Sequence, residues 1–417
     1  MNPPNNDNNK LISQRAFSVS LILINILAHI LLEREIFTCT LVNRWWNQLA
    51  TERLWHRFRG LKNNSKTKSF EKFYQVLVSA RDGKCLHQYG RYVKILDLER
   101  LELDQERLLM TLECCQRIET FIIGTKVLNK NQMDKMVSRL PNLKFFKFSD
   151  SVEINDGEAM SVIADYCPRL EELELKKDIS CFGEVLFRIV EQCKKIQRLD
   201  IEEKNYEDQI MIPILENIPE ITQLKIHQCI GISEEVLLKI FKFCPKLTKL
   251  NVTNMHEITT EFALATAKHF KKCFRLTINK VDRPLDSCIE ASENKLNISL
   301  YEIDLGMIID YFTNRKEKLR ELILSGIELS KLTLEIICKN LDLYTLMLSG
   351  VEELAKADII AAISELKNLK IFTIRFSRVH VDYLLDDEKE QLLEICPNLE
   401  FVRWHTIPYN LRNSQNK

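Results

Sequence analysis

Cys167-Pro168-Arg169-Leu170-Glu171-Glu172-Leu173-Glu174-Leu175 is the stretch that decides the fold. Leu170, Leu173 and Leu175 stand at spacings of three and then two, directly after a Cys-Pro step. The last two alternate with polar residues, the period of a strand that buries one face. The spacing returns upstream at Val93/Leu96/Leu98, Ile118/Phe121/Ile123 and Leu143/Phe146/Phe148. Downstream it continues at Ile196/Leu199/Ile201, Ile221/Leu224/Ile226, Leu247/Leu250/Val252 and Cys273/Leu276/Ile278. It runs on through Leu319/Leu322/Leu324, Leu343/Leu346/Leu348, Leu369/Phe372/Ile374 and Leu399/Val402/Trp404. A weaker copy, Ile298/Tyr301/Ile303, falls where the period asks for one, making about 13 repeats. An internal repeat of this kind takes precedence over any residue-level reading of the fold.

Steps of 21 to 30 residues leave room for one strand and one helix. Between the strands lie stretches with helix signals. Asn155 and Glu158 read as a capping box. Ser233 precedes an apolar face of Val236, Leu237, Ile240, Phe241 and Cys244 at helical spacing, and Thr259 opens another helix. A strand followed by a returning helix makes the next strand parallel, with a right-handed crossover. Strands stack about 4.8 Å apart and helices about 8–10 Å, so the stack is expected to curve with strands inside and helices outside. The expected fold is an α/β solenoid.

The Leu-x-x-Leu-x-Leu pattern resembles the leucine-rich-repeat family over roughly residues 92–407. Three copies carry Cys-Pro-x-Leu: Cys167 to Leu170, Cys244 to Leu247 and Cys396 to Leu399. Cys115 and Cys193 keep the Cys, and Pro141 and Pro219 keep the Pro. This is similar to the cysteine-containing subclass. Pro stops the helix, and a small thiol fits where helix meets strand.

The amino-terminal part reads differently. Leu23, Ile26, Leu27, Ile30 and Leu31 mark a short amphipathic helix, followed by Leu41-Val42-Asn43-Arg44-Trp45-Trp46 and then Leu49, Ala50, Leu54 and Trp55. About forty residues are too few for an independent core unless a partner covers part of the apolar surface. The order and gaps over residues 22–55 resemble an F-box, an all-α module. The usual Leu-Pro start of that motif is Ile22-Leu23 here, and its acidic residue is Asn25. A helical cap over the first repeat is the alternative reading. The expected organisation is a disordered segment 1–16, an F-box over 17–60, a linker over 61–90, repeats over 91–407 and a tail over 408–417. The linker holds a helix over Ser69 to Ala80 with an apolar face of Phe70, Phe73, Tyr74 and Leu77.

Composition excludes several classes. The 59 basic and 59 acidic residues balance, so the chain has no electrostatic footprint for nucleic acid or an anionic membrane. The 13 Cys include no Cys-x-x-Cys pair, which argues against zinc ribbons and redox dithiols. The thiols are expected to be reduced and buried. The uncharged run from Ala16 to Leu32 contains Asn25 and His29 and lacks a small-residue cleavage site, so it reads as neither signal peptide nor span. No phosphate loop, His-Glu-x-x-His or Gly-x-Ser-x-Gly occurs. His87 near Cys85 reads as a loop, and Asp386-Asp387-Glu388 as a helix start favoured by the dipole. No cofactor or metal is expected.

The F-box resemblance implies a non-enzymatic substrate receptor of a Skp–cullin–F-box ubiquitin ligase, working in ubiquitin-dependent protein degradation in the cytoplasm or nucleus. A repeat scaffold or inhibitor without a ubiquitin role is the alternative. The implied adaptor-binding set is Leu23, Ile26, Leu27, Ile30, Leu31, Leu41, Val42, Trp46, Leu54 and Trp55. Within it, Leu41, Val42 and Trp46 are expected to pack the helices, while Leu23, Ile26, Leu27 and Ile30 face the adaptor. Target contacts are expected on the strand positions between the buried ones: Lys249, Arg275, Met347, Arg375, Phe401, Arg403 and His405. The last strands combine apolar anchors with Arg, a composition favoured at hot spots.

Overall fold

The computed structural model describes residues 20–406 apart from 31, 60–65, 102, 125–127, 150–151, 254, 256–257, 271–274, 281–287, 293–294, 301–303, 316–317, 328, 352–353 and 377–385. The expected disordered segment 1–16, the tail 408–417, Leu31, Cys273, Tyr301 and Ile303 lie outside the described residues. Two compact units divide the chain, one of residues 1–174 with 178–195, the other of 175–177 with 196–417.

The first unit begins with three helices, α1 (20–29), α2 (Glu33–Cys39) and α3 (Arg44–Trp55). The chain then passes through β1 (Arg57–Arg59) and α4 (Lys66–Arg81) into the repeats. These are β2 (Ile95–Leu98), α5 (Gln105–Cys114), β3 (Thr120–Ile123), α6 (Lys130–Val137), β4 (Phe145–Phe148), α7 (Ser161–Tyr166), β5 (Glu172–Leu175) and α8 (Gly183–Gln192). Strands β1 to β5 pair in sequence order and parallel. The repeat residues lie where the pattern put them: Leu96, Phe121, Phe146 and Leu173 form one fully buried row across the sheet. The residues just ahead of these strands form a charge ladder. Lys94 and Lys144 flank Glu119 at 3.2 and 3.1 Å, and Lys144 reaches Glu171 at 3.8 Å. The hydrogen bond from Lys144 holds the Glu119 carboxyl below its usual range.

The second unit holds β6 (Arg198–Glu202), α9 (Asp208–Glu216), β7 (Gln223–His227), α10 (Glu234–Phe243), β8 (Lys249–Thr253) and α11 (Thr260–His269). It continues with β9 (Arg275–Lys280), β10 (Cys288–Ser292), β11 (Lys295–Leu300), α12 (Leu305–Thr313), β12 (Glu321–Ser325) and α13 (Lys331–Asn340). It ends with β13 (Thr345–Val351), α14 (Lys356–Ile363), β14 (Ile371–Phe376), α15 (Asp386–Ile395) and β15 (Phe401–Thr406). The strand order is β6-β7-β8-β10-β11-β9-β12-β13-β14-β15. Each unit is thus built of strand–helix repeats of the leucine-rich-repeat type.

Two expectations need correction. The sheet is not parallel throughout, because β10 runs antiparallel between β8 and β11. The weak copy at Ile298/Tyr301/Ile303 is replaced by β11, where Leu296 and Ile298 stand opposite Leu276 and Ile278 of β9. The cause is chain length. Strands β10 and β11 are joined across the facing pair Ser292 and Lys295, a loop that permits only an antiparallel return, whereas a parallel crossover needs a dozen residues or more. The second correction concerns caps. Helix α7 starts at Ser161 without a side-chain cap, so Asn155 and Glu158 form no capping box. The reciprocal box sits one repeat earlier, where Asn129 and Gln132 cap α6. Ser233 and Thr259 do cap α10 and α11, accepting from the Val236 and Glu261 amides.

The cysteines close the helix ends. Cys115, Cys167, Cys193 and Cys244 are the C-cap residues of α5, α7, α8 and α10, and all are buried. Three buried thiols reach back one repeat: Cys167 Sγ lies 3.9 Å from the Leu140 carbonyl oxygen, Cys193 Sγ 3.2 Å from that of Cys167, and Cys396 Sγ 3.5 Å from that of Ile363. Helix ends leave carbonyls without intrahelical partners, and a buried weak donor serves them. Burial pushes the thiols of Cys167, Cys193, Cys244 and Cys338 up to about 12. The thiolate is the reactive form, so native labelling at pH 8 is expected to modify half-buried Cys39 and Cys85 first and these four only on unfolding. Mass-mapped labelling against time checks this, and a native disulfide among the four would contradict it.

Candidate functional site

Helix α1 carries Leu21-Ile22-Leu23-Ile24-Asn25-Ile26-Leu27, apolar on nearly every side. Leu23 and Leu27, one turn apart, face inward and form a core with Ile36 of α2 and Ala50 of α3. Ile30, Cys39, Trp46, Leu49 and Leu54 pack around that core while staying partly exposed. The first turn of α3 is fixed by Asn43, whose Oδ1 accepts from the Trp45 and Trp46 amides at 3.0 and 2.9 Å. Replacing Asn43 by Ala is expected to cost about 1 kcal/mol of stability, and Asp at this position to retain most of it, read from denaturant unfolding.

Between α2 and α3 the chain turns tightly. The amides of Thr40, Leu41 and Val42 donate to the carbonyls of Phe37, Thr38 and Cys39. Asn47 Nδ2 donates to the Thr40 carbonyl at 2.8 Å, and His87 Nε2 lies 2.7 Å from Asn47 Oδ1. His87 therefore ties the turn to the segment after α4 and is a structural joint. With its backbone so satisfied, the turn lifts Leu41 and Val42 outward, 72% and 58% exposed.

This reverses part of the expectation. Leu23 and Leu27, expected to face the adaptor, are buried in the module's own core. Leu41 and Val42, expected inside, are outside, because a two-residue tip between helices cannot reach back to that core. Ile26 is exposed as expected. Trp46 and Leu54 pack on the core. Trp55 turns to the linker instead, its ring 5.8 Å from Phe73 of α4 and 4.5 Å from Tyr89. Phe73 in turn stacks on Phe58 of β1 at 4.0 Å. His56 sits in this joint, where burial holds its imidazole below the ordinary value.

Sequence reasoning missed several exposed residues: Leu21, Ile22, Ile24, Leu32, Phe37 and Trp45. The signal was available in α1, since a helix apolar all round in a small module must be covered by something.

The repeat face is a second candidate surface. In the second unit its early strands neutralise their own charges. Arg198 pairs with Asp200 at 2.9 Å, Lys225 pairs with Glu202, and His227 Nδ1 meets Thr253 Oγ1 at 2.6 Å. Strands β12 to β15 differ. Rows across them read Ile323, Met347, Thr373, Arg403 and Ser325, Ser349, Arg375, His405. Met347, Arg375, Phe401, Arg403 and His405 thus come together, with Arg403 over the Phe401 ring at 5.1 Å. The side chains of His405 and Arg275 lie outside the described residues. Lys249 on β8 does not join them, because β10, β11, β9 and β12 separate it from Met347, about 24 Å at strand spacing.

Among the described residues no group of three His, Cys, Asp or Glu side chains could hold a metal ion. Nor is any described helix long and apolar enough to cross a membrane.

The fold defined by these units is of the leucine-rich-repeat type. No family model matches the chain, and no curated protein matches it. Among solved structures, a chain of the yeast Rad7–Elc1 complex is similar over 96% of this chain and 93% of its own, at 14% identity and a TM-score of 0.35. The TLR13–ssRNA13 complex matches 78% of this chain and 63% of its own, at 11% identity and a TM-score of 0.34. A Bacteroides fragilis protein matches at 15% identity and a TM-score of 0.19, over 82% and 84% of the two chains.

Proposed function

We propose that this chain is a non-catalytic substrate receptor of a Skp–cullin–F-box type ubiquitin ligase. The helical module α1–α3 binds a Skp-family adaptor, and through it a cullin. The repeat sheet holds the target protein. One observation carries the reading: among the described residues, nine of the nineteen exposed large apolar side chains lie between Leu21 and Trp45. That density fits a docking face better than scattered solvent exposure, since the module's own core is already filled. Bound at both ends, the receptor raises the concentration of target near the ubiquitin-charged enzyme and supplies no reacting group. Reduced buried thiols fit the cytoplasm or nucleus, where such ligases work.

The test is co-purification of the full-length chain with a Skp-family adaptor. A stoichiometric complex is expected, and no complex would end the ubiquitin-ligase reading. Truncation at residue 60 is a poor control, because it removes Trp55 and β1, which pack on α4 and pair with β2.

A further inference from the structure

We infer that the face of β12 to β15 takes an acidic, apolar-studded peptide segment of the target, with carboxylates on Arg375 and Arg403. The inference deepens the receptor reading by giving the chemistry of what the repeats hold.

Two cations on this face have no acidic partner among the described residues. Arg375 and Arg403 are exposed on adjacent strands. Thr373 stands opposite Arg403, so the two arginines are diagonal neighbours, about 8 Å apart at the backbone. Among the described residues no acidic side chain pairs with either, whereas Asp200 and Glu202 compensate Arg198 and Lys225 on β6 and β7. Between and beside the arginines the floor is Ile323, Met347, Thr373, Ile371 and Phe401. Two like charges over a partly apolar floor repel one another, and a carboxylate placed between them relieves the repulsion and accepts forked hydrogen bonds. Apolar side chains flanking that carboxylate would lie on Met347 and Phe401, where aromatic and Met surfaces adapt to a partner. A basic or purely apolar segment would leave both guanidiniums desolvated and unpaired, which is costly.

Random peptides displayed on phage, panned on the full-length chain, test this. The wild type is expected to enrich Asp and Glu next to Leu, Ile, Met or Phe. A synthetic peptide from the selected pool should bind about tenfold more weakly to Arg375→Ala/Arg403→Ala, a change of about 1.4 kcal/mol, and more weakly as salt rises. Arg375→Lys/Arg403→Lys should retain acidic selection at reduced affinity, and Arg375→Glu/Arg403→Glu should select Lys and Arg instead. Thermal melting checks that these exposed substitutions leave the fold in place. A wild-type pool with no acidic enrichment, or acidic peptides that bind the Glu variant equally, would overturn the inference. Panning needs no adaptor, so failure here leaves the adaptor complex untouched, and failure of that complex leaves this result readable.

Discussion

Replacing Leu41 and Val42 together by Asp is expected to abolish adaptor capture while the chain stays folded. Both side chains stand in solvent, so their loss opens no cavity in the protein. At an interface centre, truncating one well-seated apolar side chain costs about 2 kcal/mol, a factor of about 30. Two such losses, with carboxylates forced against an apolar partner surface, exceed the affinity range a pull-down can follow. Ile26→Ala, on the same module and also exposed, should weaken capture by about tenfold without changing the melting curve.

Leu27→Ala supplies the contrast. Leu27 is 2% exposed and shares the core with Leu23, Ile36 and Ala50. Its truncation should cost about 2–5 kcal/mol of stability, more than three short helices can lose and keep their arrangement. Capture is then lost together with structure, visible as fast amide exchange in α1 to α3. The two variants therefore separate surface from core. Equal melting curves for Leu27→Ala and wild type, or undiminished capture by the Leu41/Val42 variant, would remove the proposed adaptor face.

The different fates of these residues show what the sequence could carry. Strand positions such as Leu199 and Ile201 were legible because a period of two assigns a face, and a repeat assigns the same face many times over. Leu27 and Leu41 are both apolar and both belong to the module. Residue type says only that each is to be covered, not whether by the chain itself or by another molecule. That choice is made by the turn after α2, whose self-satisfied backbone turns Leu41 and Val42 outward. The inserted β10–β11 pair was hidden for a related reason. Its apolar residues keep a strand period, and only the short connection between Ser292 and Lys295 forbids the helix that the repeat rhythm suggests. Met347 and Arg403 were legible as face residues, but their separation from Lys249 depends on that insertion.

Phe146→Ala is expected to give the largest stability loss in the repeats. Phe146 is fully buried on β4, its ring 5.7 Å from Phe121 on β3 and 4.5 Å from Phe148. It stands in register between Phe121 and Leu173. Removing a buried aromatic costs about 3–5 kcal/mol, and the lost ring pairs lie within that figure. Each repeat contacts only its neighbours, so the damage should appear first as amide exchange in β3, β4 and β5 rather than evenly along the chain. Phe145 is the control. It is the adjacent residue of the same type, stands between Thr120 and Glu172 on the other sheet face, and is only partly buried. Phe145→Ala should cost well under half as much, because the strand period sends successive side chains to opposite faces. A one-residue slip in register would exchange the two outcomes, so a larger loss from Phe145→Ala than from Phe146→Ala would refute the phase of the whole repeat.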